Sequence, residues 1–451
     1  MTIITNRDEL VSHGNARGRE VVVDIVEYAL RSINSYFLTS KAIHLEDDML
    51  FVDHLKYDLS KIKNIFVIGG GKASFPIAQA LEDVLGKRIR RGAVNVKRGE
   101  KRRLKYIKIR EAGHPLPDEE GYEGAKEILE VAREAGEGDL VFCLITGGAS
   151  ALMPLPSEGI SLDDKKRVTE LLLKCGATID EINAVRNHIS AIKGGRLAKY
   201  IHPAETVNLI VMDEVAGLPW GPSVPDSSTF GECIRILRKH DLWRRVPESV
   251  RHHLEKGLND PAMETLKPKD FESMRVHNIV LADNQKMCQA AKERAEQLGL
   301  RAVVLTTLLE GESREAGIIL TTIAREIEAR GRPIEPPCVL ICGGETNVRI
   351  AGECGMGGPS QEFALGSSLK LGGSRRIVVA SLDTDGTDGP TDVAGGIVDG
   401  LTLERAGEMG LDVYGNLMKH DSYVVLKGLG DAICTGPTET NVMDLNLVVV
   451  S

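Results

Sequence analysis

Short Val/Ile-rich runs recur along this chain, each ending in glycine or small polar residues, and longer stretches with apolar positions every three to four residues lie between them. The runs at 65–68, 92–96, 140–145, 207–212, 278–281, 301–305, 338–342 and 377–380 predict strands. The windows 75–85 and 285–298 predict helices between strands, and the first sixty residues read as helical, clearest over 21–34. This alternation predicts an α/β fold with mainly parallel sheets, the run before Ser381 included. From about 242 to 270 the chain is polar, carries prolines and has no strand signal. At 451 residues it is too long for one ordinary core, so the reading is two domains, 1–265 and 266–451.

The ends of these strands carry the chemistry. Ser381-Leu382-Asp383-Thr384-Asp385-Gly386-Thr387-Asp388-Gly389-Pro390-Thr391-Asp392 places four carboxylates on a glycine-bearing turn, where open α/β sheets bind ligands. Clustered aspartates repel one another unless a hard cation or a polar ligand neutralises them; the alternative is a solvated turn with helix-capping aspartates. A calcium loop counted from Asp383 would need Gly at the sixth position and Glu at the twelfth, where Asp388 and Ala394 stand.

Gly69-Gly70-Gly71-Lys72-Ala73-Ser74 joins a strand to a helix, so backbone N–H groups and Lys72 face any anion there. It lacks Walker A spacing, and Ser74 replaces the third glycine of a dinucleotide fingerprint. Thr146-Gly147-Gly148-Ala149-Ser150 repeats the strand-to-small-residue design without the spacing of a serine-hydrolase elbow. In Asn183–Arg196, Arg186, Ser190 and Lys193 have helical spacing and would share one face, two cations poised for a carboxylate or polyphosphate. His188 reads as structural, since no His or Cys lies at ligand spacing from it. Gly343-Gly344-Glu345-Thr346-Asn347 and Thr435-Gly436-Pro437-Thr438 pair glycines with short polar side chains, and Asp213 follows another strand. Each turn alone could be ordinary loop chemistry; their number argues for a ligand.

Composition narrows the classes. A hydrophobic content of 42%, 27% charged residues and a formal charge of −9 describe a globular protein with no bias toward nucleic acid. The basic run from Lys97 to Lys105 reads as a solvated loop. No apolar run approaches membrane-spanning length, the start lacks a signal pattern, and eight scattered cysteines without a Cys-x-x-Cys pair suggest reduced thiols. The reading is a cytoplasmic protein without nucleic-acid or membrane partners.

Taken together and in order, the motifs resemble the class II glycerate kinase (glycerate 2-kinase) family, whose C-terminal part is the MOFRL domain. The resemblance spans roughly 19–450 and rests on Gly70-Gly71-Lys72, Ala112-Gly113-His114-Pro115-Leu116-Pro117-Asp118, the 146–152 turn and Asn183–Arg196. It rests further on Gly343-Gly344-Glu345-Thr346, Gln361-Glu362, the 385–392 loop and Thr435–Asn441. It implies a Rossmann-like N-terminal domain, a mainly parallel sheet flanked by helices, followed by a MOFRL-type α/β domain. It also implies transfer of the ATP γ-phosphoryl group to the 2-hydroxyl of D-glycerate with Mg²⁺.

By this resemblance Lys72 would contact the transferring phosphate or the glycerate carboxylate, and Arg186 and Lys193 would clamp the remaining charge. Asp385 or Asp388, with Asp213, would hold the metal. Gly70, Gly71, Gly147, Gly148, Ser150, Gly344, Glu345, Asn347, Thr435, Gly436 and Thr438 would line a cleft between domains for substrate and nucleotide. Two departures bear on acceptor choice: Pro359 stands where the family commonly has Arg, and the 212–223 region is shortened. The rival readings are an NAD(P)H-dependent hydroxypyruvate reductase, a kinase for another small hydroxy acid, and a non-enzymatic binding module. The reading allows a homo-oligomer.

Overall fold

The computed structural model describes residues 2–99, 102–213 and 220–451. The chain divides into two compact units, one built from Ser35–Val211 with Leu218–Leu281 and the other from Met1–Asn34, Met212–Gly217 and Ala282–Ser451. We call them the central and the terminal unit, after their places in the sequence.

The central unit begins with a small antiparallel sheet of β1 (Ile43–Glu46), β2 (Met49–Val52) and β3 (Leu55–Asp58), where the sequence reading expected helix. Asp47 and Asp53 take up φ of 53° at the two turns, a conformation that Asp tolerates and that reverses a hairpin tightly. The predicted helical stretch does form, as Ala16–Ser32, but only one short helix, Ser35–Ala42, follows it before this sheet.

The main sheet of this unit contains β4 (Ile65–Gly70), β5 (Ile89–Lys97), β6 (Ile107–Ala112), β7 (Leu140–Ile145), β8 (Glu205–Val211) and β9 (Val276–Ala282), in the order β6-β5-β4-β7-β8-β9. Every pair from β6 through β8 runs parallel. All residues of β4 and β7 are buried, as their unbroken apolar runs require in a sheet covered on both faces. The chain leaves β4 toward β5 on one side and later adds β7 on the other, so the order reverses between β4 and β7. Such a switch point separates the loops that follow adjacent strands and opens a crevice at their carboxyl ends. Gly70 lies directly opposite Ile145 there, which sets the 71–74 and 146–152 turns side by side.

The terminal unit holds β10 (Arg301–Leu309), β11 (Cys338–Gly344), β12 (Ile377–Asp383), β13 (Gly395–Asp399), β14 (Ala432–Ile433) and β15 (Asp444–Val450), in the order β10-β11-β15-β12-β13-β14. Only β10 and β11 pair in parallel; the remaining pairs are antiparallel. The run before Ser381 is therefore a buried strand, but not in a parallel sheet. The last strand of the chain returns between β11 and β12 against both, and an apolar run buried on both faces carries no sign of strand direction.

The division between units also differs from a cut at 265/266. Helix Ala16–Ser32 packs on helix Asn284–Gln297, β12 and β15, and the fully buried Arg19 pairs with Asp399 at 2.5 Å and Asp431 at 2.7 Å. Residues 266–281, including most of β9, complete the central sheet instead. The 242–270 stretch has no strand, as read, but it contains helix Glu248–Asn259. Among the described residues no helix is long and apolar enough to cross a membrane.

Candidate active site

At the switch point of the central unit one threonine ties two turns together. Thr146 Oγ1 accepts a hydrogen bond from the Ala73 N–H at 3.1 Å and lies 3.3 Å from the Ser74 hydroxyl, while the Lys72 N–H donates to the Gly147 carbonyl at 2.8 Å. Gly71, with φ of 149°, has no room for a β-carbon, which would collide with Thr146 Oγ1. Gly148, at φ 81°, is covered by two side chains: a β-carbon there would lie 2.9 Å from the His114 ring and 3.3 Å from Lys72 Cγ. Lys72, Gly147, Gly148 and Ser150 thus meet, with His114 added, and Lys193 Nζ donates to the Ser150 hydroxyl. Gly70 is the buried last residue of β4.

The shared helical face for Arg186, Ser190 and Lys193 does not form. Helix Ile179–His188 ends before Ser190, which makes an isolated bridge with Pro156, and the next helix starts at Arg196. The cause is the serine hydroxyl, which donates to the Leu155 carbonyl at 3.0 Å and accepts from the Lys193 N–H at 3.4 Å, competing with helical continuation. Lys193 is therefore presented from a turn and Arg186 from the last turn of the helix. His188 is structural, as read: its fully buried ring spans the Ala184 carbonyl at 2.8 Å and Glu264 at 2.7 Å.

One cation escaped the sequence reading. Lys165, on helix Leu162–Lys174, is only 5% exposed, and its Nζ makes a single long contact of 3.4 Å to the Ile189 carbonyl. Burial first, then the charges of Lys193, Arg186 and Arg196, push its pKa well below the usual lysine range. Its neighbours in sequence are Asp163, Asp164, Lys166 and Arg167, so it reads there as one more surface lysine.

In the terminal unit the 383–388 turn and the 435–441 segment come together. Asp385 closes its own turn, its Oδ1 accepting from the N–H and hydroxyl of Thr387 at 2.9 and 2.8 Å, and its carbonyl accepts from the Thr438 N–H at 3.2 Å. Thr438 Oγ1 donates to the Thr384 carbonyl, and the Thr435 hydroxyl donates to the Gly436 carbonyl at 2.7 Å. Asp213 meets this segment at Asn441, whose amide lies 3.5 Å from its carboxylate. Gly344, at φ 134°, ends β11 where a β-carbon would strike Leu309; the exposed Glu345 and Asn347 follow, held by backbone bonds to Leu309 and Gly311.

Asp388 lies at the end of the same turn. It is 1% exposed, and its carboxylate caps helix Pro359–Ser368, accepting from the Ser360 N–H at 3.1 Å, the Gln361 N–H at 2.8 Å and the Gln361 side chain at 2.9 Å. Burial raises its pKa to about 6 despite these donors. The carboxylate thus serves as a helix cap, and a metal held by Asp388 would share it with these donors. Pro359 occupies the first position of the same helix, where a missing N–H costs nothing.

Asp444 was also missed. It faces Asp383 across β12 and β15, accepts from the Thr346 N–H at 3.3 Å, and is driven well above the carboxylate range by burial and then by Asp383, Asp388 and Glu345. Residues 214–219, half of the shortened region, lie outside the described residues.

Comparison with known proteins follows the same division of motifs. Residues 21–255 match the family described as a domain of unknown function (DUF4147), and residues 338–444 match the MOFRL family. The chain is 46% identical over 436 residues to the glycerate 2-kinase of Pyrococcus horikoshii, covering 96% of this chain and 97% of that protein. It is 40% identical to the D-glycerate 2-kinase of Thermotoga maritima, covering 85% and 90%. The crystal structure of a glycerate kinase from Thermotoga maritima superposes with a TM-score of 0.82 at 36% identity, covering 96% of this chain and 99% of that one. The chain belongs to the glycerate kinase family of enzymes, with a C-terminal MOFRL domain.

Proposed function

We propose that this kinase transfers the γ-phosphoryl group of ATP to the 2-hydroxyl of D-glycerate, giving 2-phospho-D-glycerate and ADP. The observation that carries the reading is the bracing of two glycine turns at adjacent strand ends, with Lys72 and the Lys193–Ser150 pair on them. Phosphoryl transfer depends on positioning and on stabilising a loose, anionic transition state, which such a rigid cationic cradle suits.

In the central unit Lys72 contacts the transferring phosphate or the glycerate carboxylate. Lys193 and Arg186 hold the remaining negative charge, and the turns at Gly70–Gly71 and Gly147–Gly148 offer backbone N–H groups, with Ser150 as a further ligand contact. In the terminal unit Glu345 contacts ligand, and Gly344, Asn347, Thr435, Gly436 and Thr438 serve nucleotide binding.

Among the described residues no three His, Cys, Asp or Glu side chains form a metal-binding group. The carboxylates fit Mg²⁺ that arrives with nucleotide, which characteristically needs one or two carboxylates besides the phosphates. Asp385, whose N–H donates to Asp383 at 2.9 Å, would hold it, with Asp213 as the further candidate. The ion would neutralise phosphate charge as it develops. ATP as substrate makes the cytoplasm the place of reaction.

The test is ADP formation by the purified protein with ATP, Mg²⁺ and D-glycerate, beside NADH with hydroxypyruvate. Glycerate-dependent ADP release with no NADH oxidation is expected. NADH oxidation without ADP release would replace the reading with the reductase.

A further inference from the structure

We infer that Lys165 is the buried floor of an oxyanion site in the central unit, beside Arg186 and Lys193, and that the ligand itself supplies the counter-charge of Lys165. The ligand class is a small oxyanion, either the carboxylate of a hydroxy acid or a phosphoryl group. This rests on the kinase reading for its place in catalysis, but not for its physical argument.

Among the described residues no carboxylate lies within ion-pair distance of Lys165, which is buried, or of Arg186, which is half-buried. A buried ammonium with one long contact to a carbonyl leaves most of its hydrogen-bonding capacity unused, and isolated buried charges are costly. The groups that act on it are all cationic: Lys193 from the 190–195 turn, Arg186 from helix Ile179–His188 and Arg196 from the helix that follows. Of the nearby carboxylates, Glu264 pairs with His188 and Lys267, and Asp226 accepts from Ser228 through Oδ1 while its Oδ2 lies 4.0 Å from His188 Nδ1. His253, on helix Glu248–Asn259, is bonded to the His188 carbonyl at 2.9 Å. Arg196 is spent on the carbonyls of Asn187, Lys193 and Met263. Lys165 Nζ contacts the carbonyl of Ile189, the residue before the turn from Ser190 that carries Lys193 to Ser150.

An ammonium held below its ordinary pKa by burial and like charges regains its proton when an anion arrives. Oxyanion binding near neutral or mildly alkaline pH should therefore take up protons through Lys165. The experiment is calorimetric titration of the full chain with D-glycerate, and separately with inorganic phosphate, at pH 8 in two buffers of different ionisation enthalpy. Wild type is expected to bind at least one probe with net proton uptake. Lys165→Met should weaken that binding by about tenfold or more and abolish the uptake. Lys165→Arg, permanently charged, should retain more affinity than the Met variant while losing the uptake.

A response to D-glycerate assigns the carboxylate as the natural ligand group, and a response to phosphate assigns the phosphoryl group. Failure to bind either probe, or unchanged proton uptake in the Arg variant, overturns the inference, and the Arg variant carries the test if the Met variant does not fold. Turnover of glycerate without Lys165-dependent uptake would sink this inference and leave the kinase reading. Uptake without turnover would do the reverse.

Discussion

At position 72 the lysine backbone is fixed by the Gly147 carbonyl, and its side chain lies over Gly148, so the ammonium is presented by two turns that cannot move independently. Replacing it with Ala is expected to lower kcat/KM by about 100-fold or more, the scale of losing one preorganised charge stabiliser. A change within about threefold would remove Lys72 from the catalytic assignment. The two aspartates of the 385–388 turn separate in the same way. Asp385→Asn should raise the Mg²⁺ concentration needed for half-maximal rate. Asp388→Asn should leave that concentration unchanged and lower stability by about 1 kcal/mol through the helix cap it serves. If Asp388→Asn shifted the Mg²⁺ requirement and Asp385→Asn did not, their roles would be exchanged. The glycines and Lys72 were legible because strand-end composition marks them. Lys165 and Asp444 were not, because burial, which gives them their chemistry, has no signature in neighbouring residues.

Among the elements, helix Ile179–His188 shows how a local rule sets the position of Arg186. Thr178 and Glu181 form a reciprocal capping box at its start, and Glu181 also meets Lys239 at 2.6 Å and His240 at 2.8 Å. The Lys239 and His240 contacts hold the Glu181 carboxyl down at about 2. A depressed carboxyl pKa contributes stability above its unfolded value near 4.5 and loses it as pH falls toward 2. Glu181→Gln should therefore cost about 1 kcal/mol at neutral pH and flatten the acid limb of the unfolding free energy, measured by denaturant titration between pH 5 and 3. An acid limb identical to wild type would contradict the assignment.

Strands read well from the sequence where the run is apolar throughout, as in β4 and β7. The alternating Ile107-Lys108-Ile109-Arg110 of β6, the Gly-Gly start of β13 and the two-residue β14 did not stand out, and β15 was missed although it ends in the apolar run Leu447–Val450. Helix continuation past His188 failed because a side-chain hydroxyl captured the backbone, a competition that helical spacing does not register.

Over the whole molecule the first 34 residues are a structural part of the terminal unit, which no local sequence feature foretells. Arg19 is fully buried between Asp399 and Asp431, and Arg405 reaches the same Asp431 at 3.1 Å. Removing one member of a buried ionic group leaves the others uncompensated, so Arg19→Met should destabilise the protein by about 3–5 kcal/mol. Hydrogen exchange is expected to show the loss in β12–β15 first, with β4, β5 and β7 protected. Equal loss in both sheets would argue against the assignment of this helix to the terminal unit. The order of motifs along the chain was enough to resemble a family because glycine-bearing polar turns recur at strand ends in sequence order. Where the chain is cut into units depends on contacts hundreds of residues apart, such as that of Arg19 with Asp431.

The most direct test of the central claim is ³¹P NMR of the purified protein with ATP, Mg²⁺ and D-glycerate. The account predicts a glycerate-dependent signal of 2-phosphoglycerate growing with ADP. A 3-phosphoglycerate signal would contradict the proposed acceptor hydroxyl. Intact ATP across a panel of small hydroxy acids would contradict the proposed reaction.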